Sequence, residues 1–299
     1  PRAPDPLKTV ALGGLMAMAQ VAVAQQADVP TLPDVTVGST LAPSTLDQTP
    51  ASITVVDGER ARDRQWQVNV SETLSSVPGL QLQNLTIANN LGDSVDAGTH
   101  QAVALRSDGD QVQINNVNIL GRQNTFFVTN SGVQNRLQND RQTRTLVSNS
   151  YIEGDVDIVS GRGAVVFDNT DFRVVNSRTQ QEAYVFAPAT LSNIYYGFLA
   201  INSRFTASGD GVAQLGRSLD VDSNTNGQVV IRDSVINEGF NMAKPWADAA
   251  ISKRPFSGNT GAVDDKGNVQ RNLNDANFNR MWEYNNRGLG SKVVAEPKQ

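Results

Sequence analysis

Two carboxylates, Asp155 and Asp157, lie on alternate residues of a short apolar stretch that Gly154 and Gly161 bound. If this stretch forms a β-strand, residues two apart share a face, so both carboxylates point the same way. Like charges held that close repel each other, and the pKa of one group is then usually raised. Such a pair indicates a catalytic carboxylate, although a solvated strand face would carry the same residues. The residues around the stretch must distinguish these two interpretations.

The composition excludes several other kinds of chemistry. The 299-residue chain has no cysteine, which rules out disulfides, thiol catalysis and cysteine–zinc sites. Its single histidine, His100, precedes the strand-like run 101–105, and we interpret it as structural. A net charge of −5 without a Lys/Arg cluster argues against a nucleic-acid partner. We expect no metal ion or other cofactor, and a core built on Val, Ile and Leu because aromatic residues are only 6% of the chain.

The N-terminal residues resemble a secretory signal followed by a linker. In residues 1–24, Arg2 and Lys8 precede an apolar run that ends in Ala-Val-Ala, the pattern of a cleavage site. Residues 25–50 are rich in Pro, Thr, Ser and Asp, which predicts a disordered linker. We therefore expect export to the periplasm, the outer membrane or the cell surface of a Gram-negative bacterium.

Residues 51–83 have a different character. They predict a helical stretch over 59–67 and a short helix over 72–76, which Pro78 and Gly79 end. The runs TPASITVVDGE (49–59) and ETLSSVPGLQLQ (72–83) resemble the early plug domain of a TonB-dependent outer-membrane receptor. This resemblance implies a partial plug and an association with the outer membrane. The 216 residues from Asn84 onward are too few for the 22-stranded barrel of such receptors, which needs about 10 residues per strand plus loops.

A short element recurs from residue 84 onward, with an Asn or Asp three positions before an apolar residue. It occurs at Asn84, Asn116, Asn149, Asn169, Asn202 and Asp233, with spacings of 32, 33, 20, 33 and 31 residues. Asn tolerates the left-handed backbone of a corner, and stacked Asn side chains can bond from one repeat to the next. The repeat therefore predicts an all-β fold, a right-handed parallel β-helix. An antiparallel β-sandwich with regular turns is the alternative.

Seven motifs resemble those of the pectinesterase family of carbohydrate esterases, and they occur in the family's order. They are NNLGD (89–93), QAVALR (101–106), GRQNTF (121–126), GDVDIVSG (154–161), AVVF (164–167), LGRSL (215–219) and EYNNRGLG (283–290). We therefore expect residues 84–299 to form a pectinesterase-like β-helix. The family's domain normally begins well before the position that matches Asn84, so we expect this β-helix to be truncated at its N-terminal end.

The resemblance implies a role for each of four residues. Asp157 would be the nucleophile, which attacks the ester carbonyl and forms a covalent acyl-enzyme. Arg217 would hold and polarise this carboxylate and keep it ionised. Gln101 and Gln123 would help to form the oxyanion hole, because amide donors suit a developing negative charge.

This chain departs from the family pattern where the leaving group is protonated. The family has a second Asp there, which protonates the alkoxide and then activates water, whereas this chain has Asn124. Methoxide is a poor leaving group because the pKa of an alcohol is near that of water, about 15.7. Losing the acid should slow the reaction roughly 10²–10⁴-fold. The family's sugar-stacking aromatics are also replaced, by Leu219, Ile158 and Ser160, so we expect pectin demethylation to be weakened or lost.

A thioester suits the altered site better than a methyl ester. A thiol has a pKa of about 8.5, so it leaves as a thiolate without a proton donor. A Gram-negative branch of the family that carries the same Asn is associated with acyl-CoA thioester hydrolysis. Arg122, in place of the motif Tyr, would meet an anionic substrate or be solvated. Asp155, in place of the usual Thr, would act as a substitute acid or base or be structural.

Three functions follow from the sequence. The first is an exported ester or thioester hydrolase that acts on methylated pectin or an acyl thioester. The second is a non-catalytic β-helix binding module, suggested by Asn124 and Leu219. The third is a fragment of a TonB-dependent receptor, suggested by residues 25–83.

Overall fold

The structure is a computed structural model, and it describes residues 78–91, 101–130, 141–175, 183–191, 194, 196–221, 225, 227–253 and 280–291. All of these belong to a compact unit of residues 53–299, and a second unit, residues 1–52, lies outside them. The predicted signal, linker, helices at 59–67 and 72–76, and His100 also lie outside the described residues. The described part contains no helix with the length and apolar character that a membrane crossing requires.

The described residues form sixteen strands, most of them three to five residues long. They are β1 (Gln81–Ala88), β2 (Leu105–Ser107), β3 (Val112–Leu120), β4 (Phe126–Val128), β5 (Arg144–Ser148), β6 (Tyr151–Gly154), β7 (Val159–Gly161), β8 (Ala164–Asp168), β9 (Asp171–Val174), β10 (Tyr184–Pro188), β11 (Phe198–Ile201), β12 (Arg204–Ala207), β13 (Gln214–Gly216), β14 (Gln228–Arg232), β15 (Val235–Ile236) and β16 (Arg280–Tyr284).

Successive strands lie on three sheet faces in turn, and each strand pairs in parallel with strands of the neighbouring coils. One face has the order β13-β10-β7-β4-β2. The other two meet in the long strand β3, from which β5-β8-β11-β14-β16 runs along one face and β6-β9-β12-β15 along the other. The predicted right-handed parallel β-helix is confirmed, and the parallel pairing excludes the antiparallel sandwich.

The repeated Asn and Asp residues lie at the corner between the second and third faces. All six have the left-handed backbone that the sequence predicted, with φ between 50° and 56°. The side chains also bond between coils, because Asn116 Nδ2 donates to Asn84 Oδ1 and Asn169 Nδ2 donates to Asn149 Oδ1, both at 2.8 Å. The structure adds a seventh corner, Asn285, with φ 50° and a 2.6 Å bond from its Nδ2 to Asp233 Oδ1.

The core contains an aromatic stack that the composition did not predict. Phenylalanines from successive coils fill the axis together with Val, Ile and Leu side chains, and Phe172 and Phe205 stack with centroids 4.8 Å apart. The buried phenylalanines are Phe126, Phe167, Phe172, Phe186, Phe198, Phe205 and Phe240. The predicted core of Val, Ile and Leu is present, and the few Phe residues of the chain add to it because they are concentrated on the inward positions.

Strand β1 runs across the boundary predicted between residues 83 and 84. Its register pairs Gln81 with Gln113 and continues without a break to Ala88, which pairs with Leu120. Residues 81–83 are therefore part of the β-helix. Leu80, Leu82 and Ile87 pack against the core, whereas most of β1 is exposed.

The carboxylate of Asp233, one of the corner residues, makes part of the free energy of unfolding depend on pH. Hydrogen bonds from Asn285 and Arg232 hold the pKa of Asp233 below its usual value of 3.8. Because the folded-state pKa is the lower one, this contribution is present above about pH 3.8 and is lost as the pH falls through the folded-state pKa. We expect the free energy of unfolding of Asp233→Asn, measured with urea at pH 6 and pH 3, to fall less on acidification than that of the unmodified protein. Asp210→Asn, at an exposed turn, is the control, and an equal change in both variants would contradict the prediction.

Candidate active site

Asp155 and Asp157 lie in the turn that links β6 to β7, and not on a strand. The prediction that they share a strand face is therefore wrong. The reason is local, because Asp157 has a left-handed backbone with φ 51°, and strand alternation does not pass through such a residue. Each Asp is only 3% exposed, which also excludes the solvated face that was the alternative.

Gly154, at the end of β6, and Gly161, at the end of β7, allow this part of the chain to approach the preceding coil closely. Gly161 has φ 118°, and a Cβ there would collide with the carbonyl oxygen of Val128. A Cβ on Gly154 would lie 2.6 Å from the carbonyl oxygen of Arg122. Both positions exclude any larger residue, so the turn that carries Asp157 is held closely against the coil that carries Gln123.

Arg217, directly after β13, forms a bidentate ion pair with Asp157. Its Nε donates to Oδ1 at 2.9 Å and its Nη2 donates to Oδ2 at 2.8 Å. Both residues are buried, with Arg217 8% exposed. Such a two-bond pairing fixes the plane of the carboxylate as well as its position, and the cation stabilises its charged form. The Asp157 carboxylate is therefore held in one orientation by a buried cation.

Gln101, Gln123 and Asn124 lie on the two coils before Asp157. Gln101 and Gln123 form a parallel bridge, and Asn124 donates its backbone N–H to the carbonyl of Val156 at 3.0 Å. Gln101, Gln123 and Asp157 thus lie on three successive coils, which backbone hydrogen bonds join at this point. Asn124 has a left-handed backbone with φ 57°, a conformation that Asn and Asp both tolerate.

Arg122 lies beside this group, and its guanidinium is engaged within the protein. Its Nη1 is 3.5 Å from Glu153 Oε1 and donates to the carbonyl of Gly121 at 2.8 Å. Glu153 also accepts a 2.7 Å bond from the Tyr151 hydroxyl, and burial together with that bond raises the pKa of Tyr151. A substrate anion would have to compete with Glu153, so a substrate contact for Arg122 stays a prediction.

Asp155 has a structural partner in its own turn. Its Oδ1 accepts the backbone N–H of Val156 at 2.7 Å. An Asn side chain can accept the same bond, so we expect Asp155→Asn to keep turnover within about tenfold of the unmodified protein. The measurement is kcat/KM on an acyl thioester together with a melting curve. A folded variant that loses more than about 100-fold would instead support a role for Asp155 as a substitute acid or base.

The positions that carry sugar-stacking aromatics in the family are not aromatic platforms here. Ile158 is fully buried in the core, Ser160 is buried on β7, and Leu219 is half-buried with its N–H bonded to the carbonyl of Pro188 at 2.9 Å. The segment after Leu219 is held by Asp220. Burial raises the pKa of Asp220, but hydrogen bonds from Ser252 and from the backbone outweigh it and lower the pKa below its usual value.

Tyr184 is a site residue that sequence reasoning missed. The guanidinium carbon of Arg217 lies 4.2 Å from the centroid of the Tyr184 ring. The ring is buried in a small cluster with Val156 and Ala247. Its position in the run Ala183–Pro188 is typical of a core strand. Only the strand order, with β10 between β7 and β13, and the contact with Arg217 reveal that it belongs to the site.

The described residues contain no group of three or more His, Cys, Asp or Glu side chains placed to hold a metal ion.

The fold and the Asp–Arg site define a class of protein. The pectinesterase family model matches residues 48–241, more than half of the chain, and this chain belongs to that family. The match begins at residue 48, so it includes the stretch 51–83 that resembles a receptor plug.

Individual relatives support the same class. YbhC of Escherichia coli (strain K12), provisionally described as an acyl-CoA thioester hydrolase, is 86% identical over 221 residues, which are 74% of this chain and 52% of the relative. The crystal structure of Escherichia coli YbhC has a TM-score of 0.67 and covers 72% of this chain and 54% of its own. Pectinesterase B of Dickeya dadantii (strain 3937) is 49% identical over 222 residues, which are 70% of this chain and 50% of the relative. The rice weevil pectin methyl esterase structure, 34% identical, has a TM-score of 0.57 and covers 72% of this chain and 57% of its own. The chain thus spans about half the length of the curated relatives it matches.

Proposed function

We propose that this protein is a carboxylic ester or thioester hydrolase that uses Asp157 as its nucleophile and prefers acyl thioesters to methylated pectin. The observation that carries this proposal is the buried bidentate pair of Asp157 and Arg217, with Asn124 on the adjoining coil. Arg217 orients Asp157 and balances its charge, as a nucleophile requires. The position from which the family protonates an alkoxide is occupied here by the amide Asn124.

The reaction proceeds in two steps. An oxygen of Asp157 attacks the thioester carbonyl, and the side-chain amides of Gln101 and Gln123 donate to the oxyanion. The C–S bond breaks, the thiolate leaves without protonation, and the acyl group remains on Asp157 as a mixed anhydride. Water then attacks the acyl carbonyl of the anhydride, and the bond between this carbonyl and the Asp157 oxygen breaks, which regenerates the Asp157 carboxylate. The product leaves as a carboxylate, and both protons of the water pass to solvent.

The leaving group explains the preferred substrate class. A thiolate has a conjugate acid with a pKa of about 8.5, whereas that of an alkoxide is near 15.7, about seven units higher. Expelling an alkoxide therefore requires a general acid, and Asn124 cannot act as one. Relatives described as acting on acyl-CoA and on pectin support this division of substrates within one family.

Two assays on one purified sample test the proposal. Thiol release from an acyl-CoA and methanol release from methylated pectin are measured side by side, with circular dichroism to establish that the protein is folded. We expect thiol release to exceed methanol release by about 10²-fold or more, the contribution expected from the missing acid. A folded protein that releases neither product rejects the proposal.

A non-catalytic β-helix binding module is the second candidate. Asn124 and Leu219 favour it, because both replace residues that serve catalysis and sugar stacking in the family. Binding of an oligogalacturonate or a fatty acyl ligand without turnover, measured by calorimetry, would support this candidate. Absence of binding to either would reject it.

We also propose that the protein is exported to the periplasm or the cell surface, with an association with the outer membrane. The support is the signal-like sequence of residues 1–24, and the plug-like runs within 49–83 favour the outer membrane. Fractionation of cells that express the chain tests export. Recovery of the protein in the cytoplasm with residues 1–24 retained would contradict export. Failure of the protein to associate with outer membranes would reject the interpretation as a receptor fragment.

A further inference from the structure

We propose that Tyr184 is a positioning residue that holds Arg217 in the orientation in which it pairs with Asp157. This inference rests on the proposed function, in which Asp157 is the nucleophile. Tyr184 begins β10, the strand that lies between β7 and β13 in the first face. It is therefore placed between the turn that carries Asp157 and the segment that carries Arg217.

The backbone of Tyr184 supports the Asp157 turn from both ends. Its N–H donates to the carbonyl of Asp155 at 3.1 Å, and its carbonyl accepts the N–H of Ile158 at 3.2 Å. These two bonds flank Asp157, whose left-handed backbone has φ 51°. The backbone of Tyr184 therefore helps to position Asp157, and it also determines where the Tyr184 ring lies.

The ring of Tyr184 supports the other partner. Arg217 must reach across β10 to contact Asp157, and its guanidinium carbon lies 4.2 Å from the ring centroid along the way. Tyr184 is only 7% exposed and packs with Val156 and Ala247. A cation is attracted more strongly to a ring face when both are removed from water. A flat ring below a planar guanidinium also limits its tilt, which keeps both N–H groups directed at the carboxylate.

Two substitutions separate this role from simple packing. Tyr184→Phe keeps the ring face below Arg217, whereas Tyr184→Leu keeps an apolar side chain in the cluster with Val156 and Ala247 but removes the ring. If Tyr184 acts only by filling space, the two variants will behave alike. If it orients Arg217, Leu will disturb the ion pair and Phe will not.

A spectroscopic experiment tests the positioning without reference to activity. In ¹⁵N-labelled protein, the Nε–H resonance of Arg217 is assigned as the signal that Arg217→Lys removes. We expect this signal to shift downfield in Tyr184→Leu, because the shielding by the ring is lost, and to stay close to its original position in Tyr184→Phe. An unchanged signal in Tyr184→Leu, with melting curves that show a folded protein, overturns the inference.

Kinetics then test whether the positioning matters for catalysis. We expect Tyr184→Leu to lower kcat/KM on an acyl thioester about tenfold and Tyr184→Phe to lower it less than about threefold, in keeping with the strength of a desolvated cation–π contact. The acid limb of the pH profile should move to higher pH in Tyr184→Leu, because a misoriented Arg217 stabilises the charged carboxylate less. In an Arg217→Lys background, Tyr184→Leu should have little further effect.

The outcomes separate the two proposals. Tyr184→Leu can lower kcat/KM by the same factor in the unmodified protein and in the Arg217→Lys variant. Such a result shows that Tyr184 acts through packing, and it overturns the inference. If the Arg217 signal shifts as expected but the unmodified protein hydrolyses no substrate, the proposed function fails and the positioning role stands.

Discussion

Asp157→Asn should abolish thioester hydrolysis, with a loss of about 10³-fold or more in kcat, because an amide oxygen cannot form the acyl-enzyme. The substitution changes little else in the local shape, since Asn has nearly the same size and tolerates the left-handed backbone at this position. It does leave Arg217 buried without its anionic partner. We therefore expect a loss of about 3–5 kcal/mol in the free energy of unfolding, measured with urea alongside the kinetics.

Asp155→Asn is the matched control for this experiment. It makes the same chemical change two residues away in the same turn, but it leaves the ion pair between Asp157 and Arg217 intact. Loss of turnover in Asp157→Asn alone assigns the nucleophile to Asp157. If a folded Asp157→Asn variant retains turnover within about tenfold, Asp157 is not the nucleophile and the proposed mechanism fails.

The β-helix could be predicted from the sequence because its signal is local and repeated. Each corner Asn lies in a short pattern that recurs with the length of a coil, and a left-handed backbone is a property of a single residue. Asn285 was missed because 52 residues separate it from Asp233, so the period of the repeat is interrupted. The Phe stack was also missed, because composition does not report which positions point inward.

The site could be predicted only in part, and the resemblance to a family supplied most of it. Asp157 and Arg217 are 60 residues apart, and no sequence pattern of this chain alone joins them. The expected strand face for Asp155 and Asp157 was wrong because a turn replaces the strand there. Tyr184 could not be found, because its function depends on which strand lies between two others, and this is a property of the coil stacking.

Asn124→Asp should raise methyl ester hydrolysis roughly 10²–10⁴-fold, the contribution of a general acid, while changing thioester hydrolysis by less than about tenfold. The backbone at this position accepts the change, because φ 57° is a conformation that Asp adopts about as readily as Asn. The N–H bond from Asn124 to Val156 is made by the backbone and is retained. The introduced carboxyl lies on the coil next to the turn of Asp157, and its protonated form can donate to the departing methoxide. Methanol release from methylated pectin and thiol release from an acyl-CoA measure the two reactions.

Asn124→Gly is the matched control, since glycine keeps the left-handed backbone without adding a carboxyl. It should leave methyl ester hydrolysis unchanged, which would assign any gain in Asn124→Asp to the acid and not to a looser turn. Leu219→Trp is combined with Asn124→Asp in a third variant, because a weak contact with the polysaccharide would otherwise conceal a gain in the chemical step. If neither the single nor the double variant releases methanol faster than the unmodified protein, residue 124 does not determine the substrate class. The preference for thioesters would then have to come from the binding surface and not from the leaving group.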